Sequence, residues 1–132
     1  MDYILDTNIC IYIIKGKPLS VLEKLRGTHK NKIFISSITV AELEFGVRKS
    51  ATPKKNETAL IEFLEPFKIL DFDSRAAVEY GTIRYDLEKR GLPIGSLDLL
   101  IAAHAKSLNL ILVTNNEGEF RRVANLTVEN WV

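Results

Sequence analysis

Apolar residues recur along this chain with two periods, and the alternation between them predicts most of its elements. Tyr3, Ile4 and Leu5 form a short continuous apolar run that reads as a buried strand. Asn8 to Lys15 continues as a short apolar helix, and beyond Gly16 and Pro18 an amphipathic helix runs from about Leu19 to Arg26, closed by Gly27. Ile33, Phe34 and Ile35 repeat the strand pattern, after which Ser36 and Ser37 cap a helix over Ile38–Lys49. Ser50 to Lys55 reads as a loop, Glu57 to Glu65 as a helix ended by Pro66, and Phe67 to Phe72 as a strand. A long helix follows from Ser74 to Arg90 and stops at Gly91. Pro93, Gly95 and Ser96 form a turn into another helix, with Ser96 as its N-cap. Leu110 to Val113 is a continuous apolar run of central-strand type, and Leu126 to Val132 adds an edge strand. Strands alternating with helices in this way indicate the α/β class.

The helix over Ile38–Lys49 carries two apolar faces. Ile38, Ala41 and Phe45 share one, with Glu42 at its border, and Val40, Leu43 and Val47 make the other. A helix apolar on two sides is either deeply buried or in contact with a partner, and in so small a domain the partner reading gains weight, so that Leu43→Asp is expected to disrupt assembly without unfolding the chain.

Composition narrows the classes. The 132 residues suit one domain, spanning 1–132, that buries roughly two thirds of its unfolded surface. No apolar run approaches the roughly 18 residues of a membrane span, and Asp2 follows Met1 with no secretory pattern behind it, so a cytoplasmic location is expected. The single cysteine, Cys10, sits among apolar residues and reads as core. The net charge of +1 conceals a local excess, since six cations (Lys15, Lys17, Lys24, Arg26, Lys30, Lys32) face one acid, Glu23. This stretch is either a solvated face or a phosphate-binding edge.

Four acids occupy places that can converge. Asp6 follows the first strand and precedes Thr7 and Asn8, a pattern equally suited to a strand-end site and a helix cap. Glu42 lies on the core border of its helix, Asp98 in the first turn of another, where the dipole favours a negative charge, and Glu119 a few residues after the run ending in Thr114, Asn115 and Asn116. Carboxylates sharing a pocket raise one another's pKa, and a bound cation relieves the repulsion. Oxygen ligands without a cysteine or histidine cluster favour a hard ion, Mg²⁺ or Mn²⁺, and paired ions about 3.5–4 Å apart suit phosphodiester cleavage. With 17 acidic residues in the chain, however, a spaced quartet does not by itself single out a metal site. His104 lies on the stripe of Leu97, Leu100, Ile101 and Leu108, about two turns from Asp98, and reads as a packed histidine. Neither a P-loop, nor a dinucleotide glycine pattern, nor a Ser/His/Asp constellation is present.

The ordered combination is more specific than its pieces. Leu5-Asp6-Thr7-Asn8, Val40-Ala41-Glu42-Leu43, Pro93-Ile94-Gly95-Ser96-Leu97-Asp98 running on to His104, Val113-Thr114-Asn115-Asn116 with Glu119-Phe120, and the closing Val128-Glu129-Asn130-Trp131 resemble a PIN-domain ribonuclease. More closely, they resemble the VapC toxins of bacterial VapBC toxin–antitoxin systems. The resemblance implies a three-layer α/β/α sandwich around a mostly parallel sheet of about five strands, with an acidic pocket at the strand ends. It implies Asp6 and Asp98 as principal magnesium ligands, Glu42 completing the first site, and Glu119 as the fourth acid, often Asp in relatives. Thr7, Asn8, Thr114 and Asn115 would line that pocket, and Ser96 stands where close relatives often have Pro.

The implied reaction is attack of a metal-activated water on an RNA phosphodiester, leaving 5′-phosphate and 3′-hydroxyl ends. Likeness to enterobacterial members points to tRNA, with initiator tRNA and its anticodon stem-loop foremost. Lys15, Lys17, Lys24 and Arg26 then become candidate RNA-backbone contacts. The family also implies a homodimer and a cognate VapB antitoxin that fills an apolar groove and blocks the pocket, within a larger assembly. A haloacid-dehalogenase-like phosphatase would want a second Asp where Asn8 stands. A PIN-fold module that binds RNA or a partner without cutting is the alternative from another class, and intact acids at all four positions argue against it.

Overall fold

The computed structural model describes residues 1–132. Five short strands, β1 (Tyr3–Leu5), β2 (Ile33–Ser36), β3 (Lys68–Leu70), β4 (Ile111–Val113) and β5 (Val128–Glu129), form one sheet in the order β3-β2-β1-β4-β5. Every pairing is parallel, with Tyr3 opposite both Ile33 and Ile111 and Leu112 opposite Val128. Parallel strands need covered crossovers, and seven helices supply them: α1 (Thr7–Lys15), α2 (Leu19–Arg26), α3 (Ser37–Lys49), α4 (Pro53–Leu64), α5 (Ser74–Lys89), α6 (Ser96–Ser107) and α7 (Glu117–Phe120).

Successive strand residues point to opposite faces, so the sheet separates two cores. Ile4 and Leu112 face α5, α6 and Phe120 of α7, whereas Leu5, Ile35 and Val113 face α1 to α4. The result is the three-layer α/β/α sandwich the resemblance implied. Cys10 is fully buried in the second core. No helix is long and apolar enough to cross a membrane.

Four local expectations are corrected. Helix α4 starts at Pro53, inside the stretch expected to be a loop. Proline is tolerated in the first helical turn, where its missing N–H has no intrahelical acceptor anyway. Strand β3 spans Lys68–Leu70 only, at the sheet edge. The N-cap of α6 is Gly95, not Ser96, because the Gly95 N–H is taken up by a distant carboxylate and Ser96 is already helical.

The fourth correction concerns α3. Its buried stripe is Thr39, Leu43 and Val47, while Ala41 is exposed and Phe45 is 65% exposed. Leu43 and Val47 of that stripe pack in the core with Leu5, Ile35 and Val113 and also line an apolar cavity between α1, α3 and α4. Leu43→Asp would therefore place a charge in the core as well as on the wall of that cavity, and Phe45 is the large apolar side chain that the helix leaves exposed.

Candidate active site

Asp6 is placed where two constraints meet. Its backbone N–H donates to the Val113 carbonyl at 3.0 Å, extending the β1–β4 ladder, and its carboxylate caps α1 by accepting from the Ile9 N–H at 3.0 Å. Strand end and helix cap are thus one residue. The second carboxylate oxygen accepts a short hydrogen bond from the hydroxyl of Thr114, which is fully buried at the end of β4. Asp6 is itself 5% exposed. Burial raises its pKa above the ordinary value, opposed by the Thr114 hydroxyl and the Ile9 and Asn8 amides and reinforced by the charge of Glu42.

Glu42 reaches toward β1 from α3 and accepts from the Thr7 hydroxyl at 2.7 Å, with the buried Thr39 hydroxyl 3.4 Å from Thr7. Asp98 stands in the first turn of α6, half-buried, and Glu119 on α7. Burial, followed by the charge of Glu119 and then that of Asp6, pushes the Asp98 pKa up to about 6. Glu119 moves the other way. Burial would raise its pKa, but the Gly95 N–H, the Asn116 amide, a proton shared with Asp98 and the Arg122 charge together hold it below the ordinary value. Its Oε1 accepts a short hydrogen bond from Gly95 and its Oε2 accepts from Asn116 Nδ2 at 2.9 Å. The turn before α6 is fastened further by the Arg122 guanidinium, which donates to the Pro93 carbonyl at 2.9 Å.

The four predicted acids therefore gather at the carboxyl ends of β1 and β4, where parallel sheets bind ligands. Asp98 feels the charges of the other three. The one cation that shifts Asp6, Asp98 or Glu119 is Arg122, whose charge acts on Glu119. In this arrangement no three acidic, histidine or cysteine side chains close on one point as a finished cage. The donor set nonetheless fits a hard divalent cation: all its ligating atoms are carboxylate oxygens, and burial together with their mutual repulsion raises the Asp98 pKa, a cost that a bound cation relieves.

The supporting residues divide. Thr7 and Thr114 bind carboxylates directly. Asn8 is exposed and contributes its backbone amide, and Asn115 turns away from the acids to donate to the Tyr12 hydroxyl at 2.8 Å, leaving its own buried carbonyl oxygen unpartnered. Lys15 lines a cavity of about 290 Å³ with Glu42, Ile11, Ile14, Leu43 and Leu60. Lys24 lines a different hollow beside Trp131, and Lys17 and Arg26 are exposed. None of the four is ion-paired. His104 is 1% exposed, its Nδ1 is 2.7 Å from the Ser36 hydroxyl and its ring meets Phe72 edge-on, so it belongs to the core; burial holds its pKa below the ordinary value.

Sequence reading missed Thr39 and Asn116. Threonine in a helix and the second of two asparagines after a strand carry no distinguishing pattern. The one available signal was the repetition of small polar residues after β1 and β4.

The family model of the PIN domain matches residues 3–126. Ribonuclease VapC2 of Rickettsia felis is 48% identical over 132 residues, covering 99% of this chain and 98% of the relative. The tRNA(fMet)-specific endonuclease VapC of Shigella flexneri is 44% identical over 131 residues, with the same coverage of 99% and 98%. The crystal structure of VapBC2 from Rickettsia felis, bound to a DNA fragment from its promoter, contains a chain that superposes with a TM-score of 0.94 at 47% identity, with 100% of both chains covered. Strand order, acidic pocket and full-length likeness agree, and the chain belongs to the PIN-domain family, among its VapC ribonucleases.

Proposed function

We propose that this chain is the endoribonuclease toxin of a VapBC-type toxin–antitoxin pair, that it cuts tRNA in a reaction requiring Mg²⁺, and that it thereby inhibits translation in the cytoplasm. One observation carries the reading: Asp6, Glu42, Asp98 and Glu119, remote in sequence, stand close enough at one end of the sheet that the charges of the other three add to burial in pushing Asp98 up to about 6. A binding module without chemistry has no use for so costly a concentration of charge.

Asp6 and Asp98 would hold the ion, with Glu42 and Glu119 completing the set. Mn²⁺, with the same preference for oxygen donors, is expected to substitute. When bound, the cation supplies an activated water and neutralises charge on the phosphodiester, the chemistry of hydrolysis to 5′-phosphate and 3′-hydroxyl ends. The protein's own part is to hold acceptors in place. Thr114 and the Ile9 amide fix both oxygens of Asp6, Thr7 fixes Glu42, and the Gly95 amide and Asn116 keep Glu119 oriented and anionic.

Similarity to the tRNA(fMet)-specific relative supports initiator tRNA, in its anticodon stem-loop, as substrate. The solved VapBC neighbours support a VapB antitoxin as partner and an assembly above the toxin homodimer. The apolar cavity between α1, α3 and α4 opens beside Glu42, so an antitoxin segment seated there reaches the catalytic pocket.

The direct test is cleavage of end-labelled initiator tRNA and of total tRNA by antitoxin-free protein, with and without Mg²⁺, comparing wild type with Asp98→Asn. A discrete cut that needs both metal and Asp98 is expected. A folded protein that cuts neither tRNA nor ribosomal RNA would overturn the catalytic reading in favour of a binding module.

A further inference from the structure

Asn116 occupies a node that the pocket's acids share. Its side-chain nitrogen is 2.9 Å from Glu119 Oε2 and 3.4 Å from Asp98 Oδ2, one amide spanning two carboxylates. Ionised carboxylates only accept hydrogen bonds, so the NH₂ group and not the carbonyl must face them, with one hydrogen available to each. Its backbone N–H donates at 2.9 Å to the Thr114 hydroxyl, which frees that hydroxyl's proton for Asp6. Three of the four acids are thus reached from one residue, two through its side chain and one through its main chain.

The two limbs are separable. Removing the side chain leaves the main-chain limb to Thr114 and Asp6 intact, together with the Asn116 carbonyl that accepts from the Phe120 N–H at the start of α7. A neutral donor placed between two like charges offsets part of their repulsion in a pocket of low dielectric, and holds them at a separation they would not otherwise keep.

We infer that Asn116 is a positioning residue whose side-chain amide holds Asp98 and Glu119 side by side and so sets how tightly the pocket takes a divalent cation. This rests on the proposed reading of the pocket as a cation site, and its test is arranged so that the two can fail separately. The full chain, free of RNA and antitoxin, is titrated with Mn²⁺ by calorimetry as wild type, Asn116→Ala and Asn116→Asp. In parallel, cleavage of initiator tRNA is followed against Mg²⁺ and against RNA concentration.

Asn116→Ala is expected to raise the Mn²⁺ dissociation constant by about tenfold, roughly 1.4 kcal/mol, and to raise the Mg²⁺ needed for half-maximal cleavage by a similar factor, with the KM for RNA at saturating Mg²⁺ unchanged. Asn116→Asp keeps the shape but exchanges the donor for a fifth acid. Its metal-free melting temperature at pH 8 is expected to fall by at least about 3 °C relative to wild type and to be restored by Mn²⁺, a rescue that a merely structural lesion would not show. Wild-type Mn²⁺ affinity in Asn116→Ala, or a change confined to the KM for RNA, overturns the inference and leaves the cation site standing. A wild-type protein that takes up no Mn²⁺ overturns the cation site, and the inference with it.

Discussion

The raised pKa of Asp98 makes the acidic pocket a source of instability in the metal-free protein, and neutralising it is expected to stabilise the fold while abolishing cleavage. Its pKa is 3.8 in the ordinary state and about 6 in the folded one, so between those values the folded protein binds the proton that the unfolded chain has released. Stability therefore falls as pH rises through that window, and the penalty is complete above about pH 6. The difference between 3.8 and about 6 corresponds to about 3 kcal/mol, which the partial exposure of Asp98 reduces to about 1–2 kcal/mol.

Asp98→Asn removes the titration and keeps a donor in place of the protonated acid's hydroxyl, facing Glu119 as before. For a chain of this length, about 2 cal/mol/K per residue of unfolding entropy converts 1–2 kcal/mol into an increase of about 4–7 °C in Tm. The assay is thermal unfolding in EDTA at fixed protein concentration from pH 4 to pH 8. The variant is expected to melt with wild type near pH 4 and to exceed it progressively up to about pH 6 and beyond. Mg²⁺ at pH 7.5 is expected to raise the wild-type Tm more than the variant's. A variant that melts at or below wild type at pH 7.5, or a difference independent of pH, would refute the assignment of Asp98 as the strained member of the pocket.

Other outcomes follow from the same geometry. Leu43→Asp puts a charge at a 7%-exposed core position and is expected to lose at least about 3 kcal/mol, seen as a melting transition lowered by more than about 10 °C. Phe45→Asp, at a 65%-exposed position of the same helix, is expected to melt within about 2 °C of wild type while weakening homodimer or antitoxin contact in light scattering and pull-down; equal losses in the two variants would contradict the orientation of α3. Because protons and cations compete for Asp98, the Mg²⁺ giving half-maximal cleavage is expected to rise several-fold for each pH unit below about 6, and an invariant requirement between pH 5 and 7 would remove Asp98 from the ligand set. Charge reversal at Lys24 and Arg26 is expected to weaken RNA binding and flatten its dependence on salt; an unchanged slope would show that the solvated-face reading of this segment is the correct one.

Much of this protein is legible in its sequence because its informative features are local. An apolar triplet ending in Asp6 announces a strand with an acid at its carboxyl end, and the run Leu110–Val113 ending in Thr114 announces a second, since a buried parallel strand can be recognised by composition alone. The convergence of residues 6, 42, 98 and 119 is not local. It depends on β4 lying beside β1, with α6 entering and α7 leaving next to that pair, an order that no periodicity encodes. For the same reason the roles of Asn116 and Thr39 were hidden, because their partners are on elements distant in sequence or one turn away on a face that could not be oriented.

Helix α3 shows where tertiary structure decides. Two apolar stripes of equal period ran along that helix, and the buried one began at Thr39, a residue hydropathy counts as polar, while the exposed one included Phe45. Periodicity establishes that a helix has faces. Which face is buried depends on the sheet it is laid against, and only the crossover from β2 over Leu5, Ile35 and Val113 settled that for α3.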